Sequence, residues 1–137
     1  MNAPVKILVA DDDEDSRALL RSHLSSLDVI VDEAVDGAEL LWSLGERGPY
    51  NLVVTDVHMP RPDGRHVLAM ARSLALKTPF LVISADATLS EPVAAFREAS
   101  FLAKPVSKSQ LFAAMRELLG SACVVDGSTP PMEEEDE

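Results

Sequence analysis

The chain has 137 residues, 47% of them hydrophobic, which is one domain's worth of sequence with enough apolar side chains for a real core. A net charge of -11 with no Lys/Arg cluster argues against direct nucleic-acid binding, and a single cysteine, Cys123, rules out an internal disulfide and fits a reducing cytosol. No apolar run approaches the ~20 residues of a membrane span, and the first apolar segment begins at Val5 with no signal-peptide region before it, so a cytoplasmic protein with no membrane partner is expected.

Residues 5–10 form a first apolar strand that stops on Asp11, Asp12, Asp13, Glu14 and Asp15. Residues 14–27 follow as a helix with Leu20, Leu24 and Leu27 on one face, Arg17, Arg21 and Ser25 largely elsewhere, and Asp13 as N-cap. A second strand at 29–34 leads through Asp36-Gly37 to a helix over about 38–46, which Gly48-Pro49 ends. The third strand, from Leu52, is a β-branched run that ends on Asp56 and breaks into the proline-rich turn His58-Met59-Pro60-Arg61-Pro62-Asp63-Gly64. On this stretch alone, a carboxylate delivered to a rim and a carboxylate that merely caps a turn are both open readings.

Residues 64–76 give a third helix with Val67, Leu68, Ala71 and Leu74 inward, and Asp63-Gly64 is its turn and start. Residues 80–83 form a fourth strand ending on Ser84-Ala85-Asp86. Ser90 caps a helix that accepts Pro92 in its first turn and runs to about residue 99. A brief fifth strand at 101–103 ends on Lys104-Pro105, and residues 107–119 form a last amphipathic helix closed by Gly120. Five βα units in succession predict an α/β domain: a parallel sheet with helices on both faces, joined by right-handed crossovers. This domain is expected over residues 1–120. Residues 121–137, with Asp126 and the run Glu133 to Glu137, are expected to be a disordered acidic tail.

In a parallel sheet the carboxyl ends of the strands share one edge, so Asp11, Asp12, Asp56, Ser84 and Lys104 are brought to one rim. Three clustered carboxylates repel one another unless a cation compensates, and a hard divalent ion held by oxygen does so; Mg²⁺ is the expected occupant, with Mn²⁺ as the alternative. A lysine and a hydroxyl beside them supply what phosphoryl oxygens need as negative charge redistributes, which points to phosphoryl transfer onto a carboxylate.

With these motifs in this order, the acidic pair Asp11-Asp12, the segment from Asp56 to Gly64, Ser84-Ala85 and Lys104-Pro105, the sequence resembles the receiver domains of two-component response regulators over roughly residues 5–120. The resemblance implies the flavodoxin-like fold, a doubly wound five-stranded parallel sheet of strand order 2-1-3-4-5. It implies Asp56 as phosphoacceptor, taking the phosphoryl group from a phosphohistidine on a histidine kinase or histidine phosphotransfer protein. Asp12 would bind Mg²⁺ directly and Asp11 mainly through water, with Asp56 and the backbone carbonyl of His58 completing the protein ligands. Lys104 and Ser84 would hold the phosphoryl group, Ser84 and Phe101 would form the switch, and Pro105 would follow a cis peptide. The expected role is a stand-alone receiver that is no enzyme beyond its own phosphorylation and slow hydrolysis, and that signals to a protein effector through the face made by the fourth helix, fifth strand and fifth helix.

The sequence departs from the family pattern in places. Glu98-Ala99-Ser100 stands where a glycine-alanine pair is frequent, Val106 where an aromatic is common, and Phe101 lacks a tyrosine's hydroxyl. His58 and Asp86, two positions beyond Asp56 and Ser84, flank the line of attack of a hydrolytic water and are expected to set the acyl-phosphate lifetime. Asp13, Glu14 and Asp15 read as capping and solvated residues, His23 and His66 as surface residues, and Trp42 and Phe112 as packing residues. Two rival functions use the same residues: an interaction module of this fold that never takes phosphate, and a small-molecule phosphotransferase or phosphohydrolase working through an aspartyl phosphate. The second wants an acid where His58 stands and a cap for which no insertion is long enough.

Overall fold

The computed structural model describes residues 4–60 and 62–120; the expected acidic tail at 121–137 lies outside the described residues. Five strands, β1 (Val5–Ala10), β2 (Val29–Ala34), β3 (Leu52–Asp56), β4 (Phe80–Ser84) and β5 (Ala99–Ala103), alternate with five helices, α1 (Glu14–Leu24), α2 (Gly37–Glu46), α3 (Gly64–Ser73), α4 (Ser90–Ala94) and α5 (Lys108–Leu119). All strand pairings are parallel, and the order β2-β1-β3-β4-β5 is that of the flavodoxin-like fold.

Strand periodicity divides the core in two, because successive side chains point to opposite faces of the sheet. Ile7, Val9, Leu52, Val54, Leu81 and Ile83 pack with Leu20 and Leu24 of α1 and Leu111 and Met115 of α5. Leu8, Val53, Phe80 and Val82 pack with Leu40 of α2, Val67 and Leu68 of α3 and Val93 of α4. The central strands β3 and β4 are buried along their whole length, which is why they read as unbroken apolar runs. Continued past the strand ends, the alternation that aligns Ile7 with Val9, Leu52 with Val54, and Leu102 with the first cluster sends Asp11, Asp56 and Lys104 to the same side of the rim.

Several expected boundaries are corrected. Helix α1 ends at Leu24, although Leu27 is buried and donates its N–H to Leu24 O at 3.0 Å. Arg17, expected largely off the apolar face of α1, is buried at 9% exposure. Helix α3 stops at Ser73 because Ala75 turns left-handed (φ 64°); Ala75 N–H then donates to Arg72 O and Leu76 N–H to Ala71 O, the two bonds of a Schellman turn. That turn throws Leu74 outward, to 70% exposure. Helix α4 is only five residues long, preceded by a 3₁₀ turn at Ala87–Leu89, and it ends early because β5 starts at Ala99 to pair with Phe80. The cap there is Asp86, whose carboxylate accepts the Thr88 N–H; Ser90 caps nothing. Trp42 is 55% exposed, its ring 5.3 Å from the Arg47 guanidinium, so it is no core residue. Asp13, Asp36, Asp63 and Ser107 all cap their helices as side-chain acceptors. The Lys104–Pro105 peptide is cis.

Candidate functional site

Asp11 follows β1 directly and is 1% exposed. Its N–H donates to Ala34 O at 3.1 Å, its Oδ1 accepts the Asp13 N–H at 2.9 Å, and its carbonyl accepts from Arg17 Nη1 at 2.8 Å. Asp56 ends β3 at 7% exposure, in register with Ile83 of β4, and its Oδ1 accepts the His58 N–H at 3.4 Å. Asp12 is exposed at the mouth. One carboxylate oxygen from each of Asp11, Asp12 and Asp56 lies within 4.8 Å of the others.

Lys104, just past β5, closes the cluster. Its Nζ donates to Asp11 Oδ2 at 3.1 Å, to Asp56 Oδ2 at 3.2 Å and to Ser16 Oγ at 3.4 Å. Burial raises the Asp56 carboxyl above its ordinary value and the neighbouring Asp11 adds to the effect, while Lys104 works against both. Burial alone would depress Lys104, but the Asp56 and Asp11 carboxylates outweigh it and the ammonium is held more firmly protonated than usual. One fixed cation is thus shared by two buried acids, and three acids exceed it in charge. Carboxylate oxygens in that excess suit a hard divalent cation, so the residues present fit a Mg²⁺ ion.

Ser84 is buried at the end of β4; its Oγ accepts the Asp86 N–H at 3.0 Å and its carbonyl accepts the Lys104 N–H at 2.9 Å. Asp86 is exposed, and Thr88 Oγ1 and N–H both donate to its Oδ1, which lowers its carboxyl pKa. His58 is exposed on the opposite loop. Phe101 is half-buried in β5, opposite Val82, and it lines a groove of about 540 Å³ with Ser90, Ala94, Leu102 and Gln110. Of the sequence-derived residues, Asp11, Asp12, Asp56 and Lys104 cluster with Ser84 on the same rim, His58 and Asp86 are exposed on the loops that follow β3 and β4, and Phe101 lines a groove elsewhere.

Sequence reasoning missed four supports of the site. Arg17 anchors the Asp11 carbonyl, and Ser16 offers Lys104 a third oxygen. Gly64 lies so close to the Asp56 backbone that a Cβ there would sit 2.3 Å from Asp56 O. Gly37 donates its N–H to Pro60 O at 3.2 Å, and its own Cβ would fall 1.5 Å from Pro62 O, so the loop after Asp56 is seated on the start of α2. The glycines were visible as turn residues; their contacts, over distances of eight and about twenty-five residues, were not.

The family profile of the response regulator receiver domain matches residues 7–116. Among curated proteins the chain is 39% identical over 130 residues to the response regulator MprA of Mycobacterium sp. (strain KMS), covering 93% of the chain and 56% of that relative. To MprA of Mycobacterium ulcerans (strain Agy99) it is 41% identical over 117 residues, covering 84% and 50%. The chain spans about half the length of these relatives. Among solved structures it is similar to a response regulator receiver protein from Sinorhizobium medicae WSM419, with TM-score 0.76, 29% identity, and coverage of 86% of this chain and 96% of that one. The Francisella response regulator 1452 receiver domain gives TM-score 0.75, 27% identity, and coverage of 84% and 96%.

Proposed function

The chain belongs to the response regulator receiver family, and from that premise we propose that Asp56 is its phosphoacceptor, loaded by a histidine kinase or histidine phosphotransfer protein. The observation that carries this reading is the Lys104 ammonium held 3.2 Å from Asp56 and 3.1 Å from Asp11, beside three carboxylates whose oxygens lie within 4.8 Å of one another. In the transfer, an Asp56 Oδ attacks phosphorus, the bond from phosphorus to the donor imidazole nitrogen breaks, and the imidazole leaves with that electron pair. Asp11, Asp12, Asp56 and the His58 carbonyl would hold Mg²⁺, which when bound would supply charge neutralisation at the phosphoryl oxygens. Lys104 gives up part of its contact with Asp56 to take a phosphoryl oxygen, and the Ser84 hydroxyl donates to another.

Membership of the receiver family counts against the small-molecule phosphohydrolase. His58 and Asp86 are proposed to set the lifetime of the aspartyl phosphate; exchanging both should change the dephosphorylation rate several-fold, and an unchanged rate sinks that part of the reading. The signal is proposed to leave through Ser84 and Phe101 to a protein effector at the groove between α4, β5 and α5. The receiver is proposed to occupy residues 1–120 and to work in the cytoplasm; α5 ending at Leu119 supports that boundary. No helix of the described residues is long and apolar enough to cross a membrane.

The test is direct: incubate the protein with acetyl phosphate or phosphoramidate and Mg²⁺, then measure intact mass for wild type and Asp56→Ala. A hydroxylamine-labile phosphoryl adduct that the variant lacks supports the reading. No adduct, with beryllofluoride also failing to bind, leaves an interaction module that never takes phosphate.

A further inference from the structure

We propose that Arg17 is a positioning residue for the acidic pocket, fixing the turn that carries Asp11 and Asp12 and tying it to the edge strand β2; the inference rests on the phosphoacceptor reading above. All three nitrogens of its guanidinium are committed. Nη1 donates to the Asp11 carbonyl at 2.8 Å, Nε donates to Glu33 Oε1 at 3.1 Å, and Nη2 pairs with Glu14. Glu33 is held from its other side by Arg21 Nη1, at 2.9 Å from each carboxylate oxygen. The guanidinium is thus a three-way joint between α1, β2 and the backbone of a proposed metal ligand, at only 9% exposure.

Asp11 shows why the joint matters. Each of its polar groups is used: N–H to Ala34, Oδ1 to Asp13, Oδ2 to Lys104, and the carbonyl to Arg17. When Lys104 turns to a phosphoryl group, the Arg17 bond is one of those that keep the turn in place. Partners that orient ligands from behind commonly change metal affinity by one or two orders of magnitude.

Charge alone predicts the reverse. A guanidinium beside three carboxylates opposes the binding of a dication, so deleting it should tighten Mg²⁺ if Coulomb forces were all that mattered. The sign of the change therefore separates positioning from electrostatics. Arg21 supplies the control, since it shares Glu33 but does not touch Asp11. Lysine at position 17 keeps the charge but cannot reproduce a planar fork that reaches three partners.

The experiment is calorimetric titration of the full chain with Mg²⁺, for wild type, Arg17→Ala, Arg17→Lys, Glu33→Gln and Arg21→Ala, each checked for folding by circular dichroism. Expected are a Kd raised about tenfold in Arg17→Ala, no recovery in Arg17→Lys, a smaller rise in Glu33→Gln, and no weakening in Arg21→Ala. At saturating Mg²⁺ the rate of phosphorylation by phosphoramidate should return to the wild-type value in Arg17→Ala. Affinity in Arg17→Ala equal to or tighter than wild type overturns the proposal, as does a rate that stays depressed at saturation. Should Arg17→Ala not fold, an unchanged Kd in Glu33→Gln overturns it instead. A wild type that takes up no Mg²⁺ overturns the phosphoacceptor reading and this inference together, whereas normal wild-type binding with an unaffected Arg17→Ala overturns this inference alone.

Discussion

Arg72 in α3 holds the end of the sheet opposite the acidic rim, and its removal should cost the fold far more than a half-exposed side chain usually does. Its Nε donates to Arg97 O at 2.9 Å, Nη1 to Leu76 O at 2.8 Å, and Nη2 to Thr78 O at 2.9 Å and Glu98 O at 3.1 Å. The guanidinium also lies 5.5 Å from the ring centroid of the buried Phe80. Burial lowers its pKa, yet it remains charged at any ordinary pH. A hydrogen bond from a charged donor contributes about 1.5–3 kcal/mol when buried, but carbonyls freed near the surface regain water, so each is discounted to below about 1 kcal/mol. Four of them make the loss in Arg72→Ala about 3 kcal/mol, a fall in Tm of roughly 10 °C for a domain of this size. Urea unfolding at pH 7 with an unchanged m-value measures it. Arg72→Lys, with one compact ammonium, should recover less than half. A loss below about 1 kcal/mol, or full recovery with lysine, refutes the claim that four carbonyls depend on this one fork.

Ala75→Gly should stabilise the protein by about 0.5–1 kcal/mol, because Ala75 sits at φ 64°, where a Cβ is penalised and glycine is not; the urea midpoint checks it. Gly37→Ala should destabilise by about 2–3 kcal/mol, since the new Cβ meets the Pro62 backbone at 1.5 Å. It should also raise the Mg²⁺ concentration needed for phosphorylation by shifting the loop that carries His58. Asp56→Asn should raise Tm at pH 7. Burial and Asp11 hold the folded-state pKa of Asp56 above its ordinary 3.8, so the stability it contributes is present below that value and lost as pH rises through the folded pKa. The gain from asparagine should therefore shrink as pH falls towards 4, and a variant less stable than wild type at pH 7 contradicts the assignment.

The alternation of strands and helices was legible because each strand is short, apolar and followed by a turn or a cap, and the rim acids were legible because the strands stop on them. What escaped was set by partners remote in sequence. The pattern Val93-Ala94-Ala95-Phe96 continues a helix on paper, but α4 stops at Ala94 because Ala99 and Ser100 are drawn into pairing with Phe80 and Leu81. The intervening carbonyls of Arg97 and Glu98 are then taken by Arg72, about twenty-five residues earlier. Leu74 has the right spacing for the core, yet the left-handed Ala75 decides its direction. Arg17 reads as lying off the apolar face of its helix until Glu33 of the next strand gives its charge a partner. Its spacing of three from Glu14 was a local sign of an ion pair.

The two halves of the proposed switch are closer than their sequence numbers suggest. The Lys104 N–H donates to Ser84 O, so the residue that would meet the phosphoryl group is bonded to the backbone of the residue that would follow it. Phe101 lies in β5, three residues before Lys104, which follows the strand's end, and is in register with Val82, two before Ser84. Because β4 is buried on both faces and β5 is only partly covered, a change at Ser84 is easier to accommodate on the β5 side, where the groove lined by Phe101 leaves room, than in the packed centre of the sheet. Coupling between the acidic pocket and the proposed effector face would then need no long relay: two adjacent strands and one backbone hydrogen bond connect Lys104 and Ser84 to Phe101.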